Sequence, residues 1–342
     1  MNRESHHGFR RSPALGPALI AVALSAIAVG GILAVSPETG GSGAPVASVP
    51  RFAGAVTSTS APASATVDEA TTALAPGPSA AVGEAAVTTV TSPVATTFAP
   101  PAAGAATIHA KAYAVFDVSG NKWLAESQAD QRLPVGSLMK MLTAYVVLQA
   151  GNLGKVVTVP VLHLNVAESV IGLSAGERLT RDALLRAMLV VSAGDAGETL
   201  AIDVGGTTDA FVQQMNAAAQ HLGLANTVAG NPVGLDQTVA RSTARDMITL
   251  AAALMQNTTF RQIVAKTTVA LHGKTFPSTD KLLDVYPGAN GVKTGHTTHA
   301  GYCLVSSVTR NGRSIIVAVL GAPSDNERFS DARALLDWAF AN

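Results

Sequence analysis

The sequence predicts one α+β domain over residues 107–342, with an antiparallel sheet built from strands near both of its ends and a cluster of helices between them. Two observations predict this fold class. Short apolar runs bounded by turn residues occur near both ends of the region. Helical apolar patterns with capping residues fill its middle. Residues 1–106 differ in composition and form separate segments.

Strand patterns occur at the start of the domain and again just before its last helix. The first is a hairpin with the apolar strand Ala112–Phe116, a turn at 119–121 and a second strand around Trp123. The last strands cover residues 302–308 and 314–320 and are joined by an Arg-Asn-Gly turn. We expect the first hairpin and the last strands to pair in one antiparallel sheet.

Helical patterns lie between these strands, and one closes the chain. Thr180 is a suitable N-cap, and the sequence Thr243–Asp246 has the features of a capping box. The predicted helices cover residues 137–149, 180–190 and 209–222, a segment beginning at 243–246, and residues 327–340.

Residues 1–36 combine an N-terminal basic segment with an apolar run. The run covers residues 14–35, and at roughly 22 residues it is long enough to span a bilayer. Arg3, Arg10 and Arg11 precede it, which predicts a cytoplasmic N-terminal tip. We expect a single-pass membrane anchor with the remainder outside the cytoplasm. The alternative is a cleaved signal peptide, which would release the domain to the cell wall.

Residues 37–106 are rich in Ala, Thr, Ser, Pro, Val and Gly and have no apolar periodicity. Such a segment cannot bury enough apolar surface to offset the entropy of ordering. We predict a disordered linker with an end-to-end distance of about 45 Å. That distance would place the domain 107–342 within reach of a cell-wall layer.

Charge and cysteine content limit the possible functions. The chain has 23 Lys and Arg residues and 23 Asp and Glu residues, so no basic excess suggests a nucleic-acid partner. Cys303 is the single cysteine and lies in an apolar stretch, which predicts a buried thiol. His296 and His299 are close in sequence, but no further ligand cluster accompanies them, and we expect no metal site.

The first candidate for chemistry is Ser137-Leu138-Met139-Lys140. Pro134 and Gly136 disfavour helix before the serine, and the residues after it are helical, so Ser137 falls at a helix N-terminus with Lys140 one turn later on the same face. A hydroxyl is a weak nucleophile until a base takes its proton. A lysine can be that base when burial or a nearby cation lowers its pKa. A second Ser-x-x-Lys, at residues 278–281, lacks this context and is interpreted as coincidence.

The second candidate is Lys293-Thr294-Gly295, which precedes the last two strands. On an edge strand, Lys293 and Thr294 would lie beside a cleft and could bind a substrate carboxylate. Lys293 would also place a second positive charge near Lys140. A glycine permits close approach of a substrate backbone.

The two motifs together resemble the penicillin-binding protein and β-lactamase superfamily, and more closely the D-alanyl-D-alanine carboxypeptidases. The resemblance covers residues 108–342. Its supporting stretches are Phe211–Asn216, Leu222–Leu224, Asn231–Asp236, Ser242–Asp246, Tyr286–Gly295 and Ala300–Tyr302.

The resemblance implies a serine hydrolase that removes the terminal D-alanine from peptidoglycan stem peptides. Ser137 would be the nucleophile, Lys140 its base, and Ser192 the proton relay to the leaving amine. The backbone N–H groups of Ser137 and His296 would form the oxyanion hole.

The resemblance also implies substrate binding at the second motif and its neighbours. Lys293 and Thr294 would hold the terminal carboxylate and support the charge network, and Gly295 and His296 would also belong to the substrate-binding site. β-Lactams would acylate the same serine. Neither a metal nor an organic cofactor is implied.

One position departs from the family pattern. The middle motif of the family is Ser-x-Asn, whereas this chain has Ser192-Ala193-Gly194. Glycine tolerates the same positive-φ conformations as asparagine, so the loop shape could persist, but the side-chain amide is lost. The following residue, Asp195, is expected to cap the next helix.

Two alternatives to a carboxypeptidase stay open. One is a D,D-endopeptidase that cuts cross-links by the same chemistry. The other is a catalytically weak peptidoglycan-binding protein, which Gly194 favours and intact Ser137, Lys140 and Lys293 disfavour. A class A β-lactamase is disfavoured because no Glu-x-x-Leu-Asn segment lies between Ser192 and Lys293.

Overall fold

The structure, a computed structural model, describes residues 107–162 and 169–342. The predicted anchor or signal at residues 1–36 and the predicted linker at residues 37–106 lie outside the described residues. Within the described residues, no helix has both the length and the apolar character needed to cross a membrane.

A five-stranded antiparallel sheet organises the domain. Its strand order is β2-β1-β9-β8-β7, and two small hairpins, β3–β4 and β5–β6, lie apart from it. The strands of the described residues are β1 (Ala112–Asp117), β2 (Lys122–Ser127), β3 (Val156–Thr158), β4 (Arg178–Thr180), β5 (Thr268–Leu271), β6 (Lys274–Pro277), β7 (Ala289–Thr297), β8 (Gly301–Arg310) and β9 (Arg313–Ala322). The predicted pairing of the first hairpin with the last strands is confirmed.

Local turn chemistry sets the two long hairpins. Asn121 adopts φ 48° between β1 and β2, and Asn311 and Gly312 adopt φ 50° and 78° between β8 and β9. Positive φ at both central residues of the two-residue β8–β9 turn suits the twist of antiparallel strands, whereas the four-residue β1–β2 turn uses it only at Asn121. The β1–β9 pairing then joins the two ends of the domain, with Val115 opposite Val317.

The central strand β9 contributes to cores on both faces of the sheet. Its residues from Ile315 to Ala322 are all buried, because helices cover both faces. Alternate side chains point to opposite faces. Ile316, Ala318 and Leu320 join the core beneath the main helices, whereas Ile315, Val317 and Val319 pack with the C-terminal helix.

The helices lie mainly between β2 and β7 along the chain. They are α1 (Lys140–Ala150), α2 (Arg181–Arg186), α3 (Gly194–Gly205), α4 (Thr208–His221), α5 (Ala244–Leu254), α6 (Thr258–Val264), α7 (Leu282–Val285) and α8 (Asp325–Ala341). The predicted caps are confirmed: the hydroxyl of Thr180 accepts from Ala183 N and that of Thr243 accepts from Asp246 N. The small hairpins, α6 and α7 were not predicted, because their patterns are short.

Two helices are less regular than predicted. The helix expected at residues 137–149 begins with a 3-10 turn, Gly136–Met139, before α1. The helix expected at residues 180–190 ends in a π-helical turn, Ala187–Val191. The first irregular turn contains the candidate site residue Ser137, and the second ends directly before the candidate Ser192. Wider or tighter turns of this kind frequently occur at functional sites.

Candidate active site

Ser137 and Lys140 form a hydrogen-bonded pair at the start of α1. Lys140 is only 3% exposed, and its Nζ lies 2.8 Å from Ser137 Oγ. The three-residue spacing in a helical turn places both side chains on one face. The structure places the serine hydroxyl beside a buried lysine amine, and this arrangement can move a proton from the hydroxyl to the amine.

A loop of residues 231–236, called here the 231–236 loop, forms one wall of the site. Lys140 Nζ also donates to Val233 O at 2.8 Å. The loop is shaped by Asn231, whose Oδ1 accepts from the backbone N of residues 233, 234 and 235. Gly234 adopts φ 81°, and a Cβ there would lie 2.0 Å from Gly136 O. The backbone of the 231–236 loop can therefore lie directly against the turn that holds Ser137, because Gly234 has no side chain.

Strand β7 forms the opposite wall and is the edge strand that the sequence predicted. Lys293 is 1% exposed and its Nζ donates to Thr294 O at 3.0 Å. Thr294 Oγ1 donates to Thr279 Oγ1 at 2.6 Å. Burial holds the pKa of Lys293 well below its usual value, and the charges of Lys140 and Arg328 lower it further. The two motif lysines are thus close enough to influence each other.

Glycines allow β7 to approach the turn that holds the serine. A Cβ on Gly136 would lie 2.9 Å from His296 N, and one on Gly295 would lie 2.4 Å from Val135 O. Side chains at either position would separate the two segments. The backbones of Ser137 and His296 therefore border the same space, as an oxyanion hole requires.

A cleft of about 260 Å³ opens between these walls. Ser137, Lys140 and His296 line it together with Ser169, Val233 and Thr297. The His296 ring stacks on Tyr302 with ring centroids 4.1 Å apart. Asp236 accepts a hydrogen bond from Thr297 Oγ1 at 2.6 Å, which links the 231–236 loop to the end of β7.

Ser192 is not among the residues that line this cleft, and it lies at the end of the π-helical turn. It is 5% exposed and adopts φ 67°, a left-handed conformation that is uncommon for a serine. Val190, two residues before it, accepts a hydrogen bond from Thr279 N at 3.1 Å. Because Thr279 also contacts Thr294, this segment is packed against the β7 wall.

The expectation that Asp195 caps α3 is wrong. The N-cap position is Ala193, and Asp195 lies in the first turn, fully buried. Its carboxylate accepts one amide of that turn, from Ala196 N at 3.0 Å, and also accepts from the backbone N of Ile171, Gly172 and Leu173. The loop 171–173 thus supplies three of the four backbone donors to this carboxylate, and α3 supplies the fourth.

We expect Asp195→Ala to lower the free energy of unfolding by about 3 kcal/mol, because three loop amides lose their buried acceptor. Chemical denaturation checks this. Asp209 is the matched control, since it is an exposed first-turn acid of α4, and Asp209→Ala should cost about 0.5 kcal/mol. Equal losses in the two variants would show that Asp195 acts only on the helix terminus.

The structure adds two charged residues that the motifs did not indicate. Arg328, on α8, is 7% exposed and its Nη1 donates to Gly295 O at 3.0 Å. Asp280 is 5% exposed and lies in the electrostatic field of Lys293 and Arg328. No local sequence signal distinguishes either residue, because each lies among other polar and charged residues of the chain.

Comparisons with known proteins agree with this geometry. A family model described as D-alanyl-D-alanine carboxypeptidase matches residues 96–324. The D-alanyl-D-alanine carboxypeptidase DacC of Escherichia coli is 35% identical over 252 residues, which cover 69% of this chain and 62% of that protein. The chain therefore spans less than two thirds of the length of DacC.

Solved structures show the same fold. A Streptomyces DD-transpeptidase superposes with a TM-score of 0.66 at 32% identity, covering 70% of this chain and all of that one. A penicillin-binding protein of Listeria monocytogenes, solved in its cefotaxime-bound form, has a TM-score of 0.63 at 32% identity and covers 69% of this chain and 98% of that one. The chain belongs to the D-alanyl-D-alanine carboxypeptidase family.

Proposed function

We propose that this protein is a serine D-alanyl-D-alanine carboxypeptidase that trims peptidoglycan stem peptides through an acyl-enzyme on Ser137. The observation that supports this most directly is the 2.8 Å contact between Lys140 Nζ and Ser137 Oγ, two residues that line the cleft. A second buried lysine, Lys293, lies on the neighbouring strand β7. The names of the relatives supply the substrate class.

The first half-reaction forms the acyl-enzyme. Lys140 accepts the hydroxyl proton while Ser137 Oγ attacks the carbonyl carbon between the two D-alanines. The backbone N–H groups of Ser137 and His296 stabilise the oxyanion of the tetrahedral intermediate. The C–N bond then breaks, and Ser192 relays a proton to the amine of the departing D-alanine. In the second half-reaction, water attacks the ester carbonyl of the acyl-enzyme and releases the shortened peptide and free Ser137.

Substrate selection follows from the β7 wall. A peptide that ends in D-Ala-D-Ala carries a terminal carboxylate, and Lys293 and Thr294 offer a cation and a hydroxyl for it. Gly295 and His296 let the peptide backbone lie along the edge strand. β-Lactams carry a carboxylate and a reactive amide, so they are proposed inhibitors at the same serine.

Gly194 supports a second candidate, a catalytically weak protein that binds stem peptides. The amide that the family motif places at this position is lost, and loss of one well-placed donor can cost about 10² to 10³ in rate. Asp195 does not replace that amide, because its carboxylate is directed to Ile171, Gly172 and Leu173. A D,D-endopeptidase would use the same residues on a cross-linked substrate.

The placement of the domain in the cell is also a proposal. We infer that residues 1–36 anchor the chain in the cell membrane, or direct its export if cleaved, and that the linker 37–106 holds the domain 107–342 in the cell wall. The support is the basic N-terminus followed by an apolar run of membrane-spanning length.

The decisive experiment is intact-mass analysis of the full-length protein after incubation with benzylpenicillin. We expect a penicilloyl adduct on the wild type and none on Ser137→Ala. Ser278→Ala is the matched control from the second Ser-x-x-Lys and should keep the adduct. Release of D-alanine from a stem peptide then separates the enzyme from a binding protein. A wild type that neither gains mass nor releases D-alanine would exclude the enzymatic function.

A further inference from the structure

The second Ser-x-x-Lys, at residues 278–281, lies against the active site without forming a nucleophile and base pair. Lys281 Nζ bonds Asp325, and Ser278 Oγ accepts from Asp280 N at 3.1 Å. The residues between them turn toward β7, where Thr279 contacts Thr294. This segment therefore supports the wall that is proposed to bind the substrate carboxylate.

Asp280 is a buried carboxylate with one unused oxygen. Its side chain is among the buried polar groups, and Oδ1 accepts from Leu282 N at 3.0 Å at the start of α7. Oδ2 is also buried and has no hydrogen-bond partner among the residues that the structure describes. The bond to Leu282 N uses only one oxygen, so it does not by itself explain why a carboxylate, rather than an amide, occupies this position.

The charges around Asp280 come from three elements. Lys293 of β7 and Arg328 of α8 are the cations, and Asp284 of α7 is an exposed anion. Lys293 in turn faces Lys140 and Arg328, two further positive charges. Arg328 is already paired with Asp325 of its own helix.

This arrangement leaves Lys293 in an unfavourable environment for a cation. Burial and two neighbouring cations all favour loss of its proton, and Asp280 is the group that acts in the opposite sense. A neutral Lys293 would bind a carboxylate poorly, since the charge of the ammonium group supplies most of the attraction in a buried site.

We propose, resting on the function proposed above, that Asp280 is a positioning residue whose buried carboxylate keeps Lys293 cationic and so maintains binding of the substrate carboxylate. Asp280 does not contact the substrate. It acts through the charge of Lys293, from behind the β7 wall.

The proposal has a distinct pH signature. Burial raises the pKa of Asp280 to about 6. Above pH 6 the carboxylate is ionised and supports Lys293, whereas below pH 6 it is neutral and resembles an asparagine. Wild type and Asp280→Asn should therefore behave alike at acidic pH and diverge as the pH rises.

The test measures binding of a synthetic stem peptide ending in D-Ala-D-Ala by calorimetry from pH 5 to 9. All proteins carry Ser137→Ala, so binding is read without turnover. We expect the added Asp280→Asn to weaken binding about tenfold at pH 8 and to leave it unchanged at pH 5. Asp284→Asn is the matched control and should follow the parent protein, because its exposed charge is screened by water.

A uniform loss of binding at every pH would overturn the proposal, because it would indicate a structural defect. The proposal would also be overturned if the Asp280→Asn variant and its parent bound the stem peptide with equal affinity at pH 8. The asparagine can still accept from Leu282 N, and removing a buried charge should leave the melting temperature at pH 8 no lower than that of the parent. A failure of the proposed function would be detected in a different experiment, because the protein with Ser137 intact would then show neither acylation by benzylpenicillin nor release of D-alanine.

Discussion

Lys140→Met should lower the rate of acylation by benzylpenicillin about 10³-fold. Methionine has a similar length and suits a buried site. It cannot accept the proton of Ser137 Oγ, which in the wild type lies 2.8 Å from Lys140 Nζ. Stopped-flow or quench-flow measurement of adduct formation checks the rate. The free energy of unfolding should fall by about 1 kcal/mol, because Val233 O loses its donor.

The chain provides a control for this substitution. Lys281 is the lysine of the second Ser-x-x-Lys, and its side chain is 63% exposed. Lys281→Met removes the same charge at the same sequence spacing, and we expect acylation within about twofold of the wild type. If Lys140→Met were acylated as fast as Lys281→Met, Lys140 would not be the base, and the nucleophile would need another proton acceptor.

Gly234→Ala should abolish measurable acylation and lower the free energy of unfolding by about 3 kcal/mol or more. Gly234 adopts φ 81°, and a Cβ there would lie 2.0 Å from Gly136 O and 3.0 Å from Ser137 N. Backbone atoms on both sides cannot yield as a flexible side chain could. The added methyl group would therefore displace either the 231–236 loop or the turn that holds the nucleophile.

Gly206→Ala isolates the clash from the backbone strain. Gly206 adopts φ 77°, close to that of Gly234, but its Cβ would have no atom within 4 Å. We expect a cost of about 1 kcal/mol for the left-handed conformation and normal acylation. Chemical denaturation and penicillin labelling measure both variants. Similar behaviour of the two would mean that close approach of the 231–236 loop to Ser137 is unnecessary for the reaction.

The sequence by itself determined the features that depend on neighbouring residues. Turn residues at 119–121 and 310–312 set the two long hairpins, because positive φ at Asn and Gly is a local preference. The three-residue spacing of Ser137 and Lys140 brings them together for the same reason, since one helical turn suffices. The position of Lys293 on an edge strand followed from its place just before the last hairpin.

Only the tertiary structure decided which distant residues meet at the site. Lys140 and Val233 are 93 positions apart, and Asp195 reaches a loop 22 to 24 positions before it. The local pattern at Asp195 predicted a helix cap, yet its carboxylate accepts three amides of a distant loop and only one of the helix. Asp280 likewise belonged to a motif that looked coincidental. A buried charge takes its partners from whichever elements fold against it, and no periodicity along the chain encodes them.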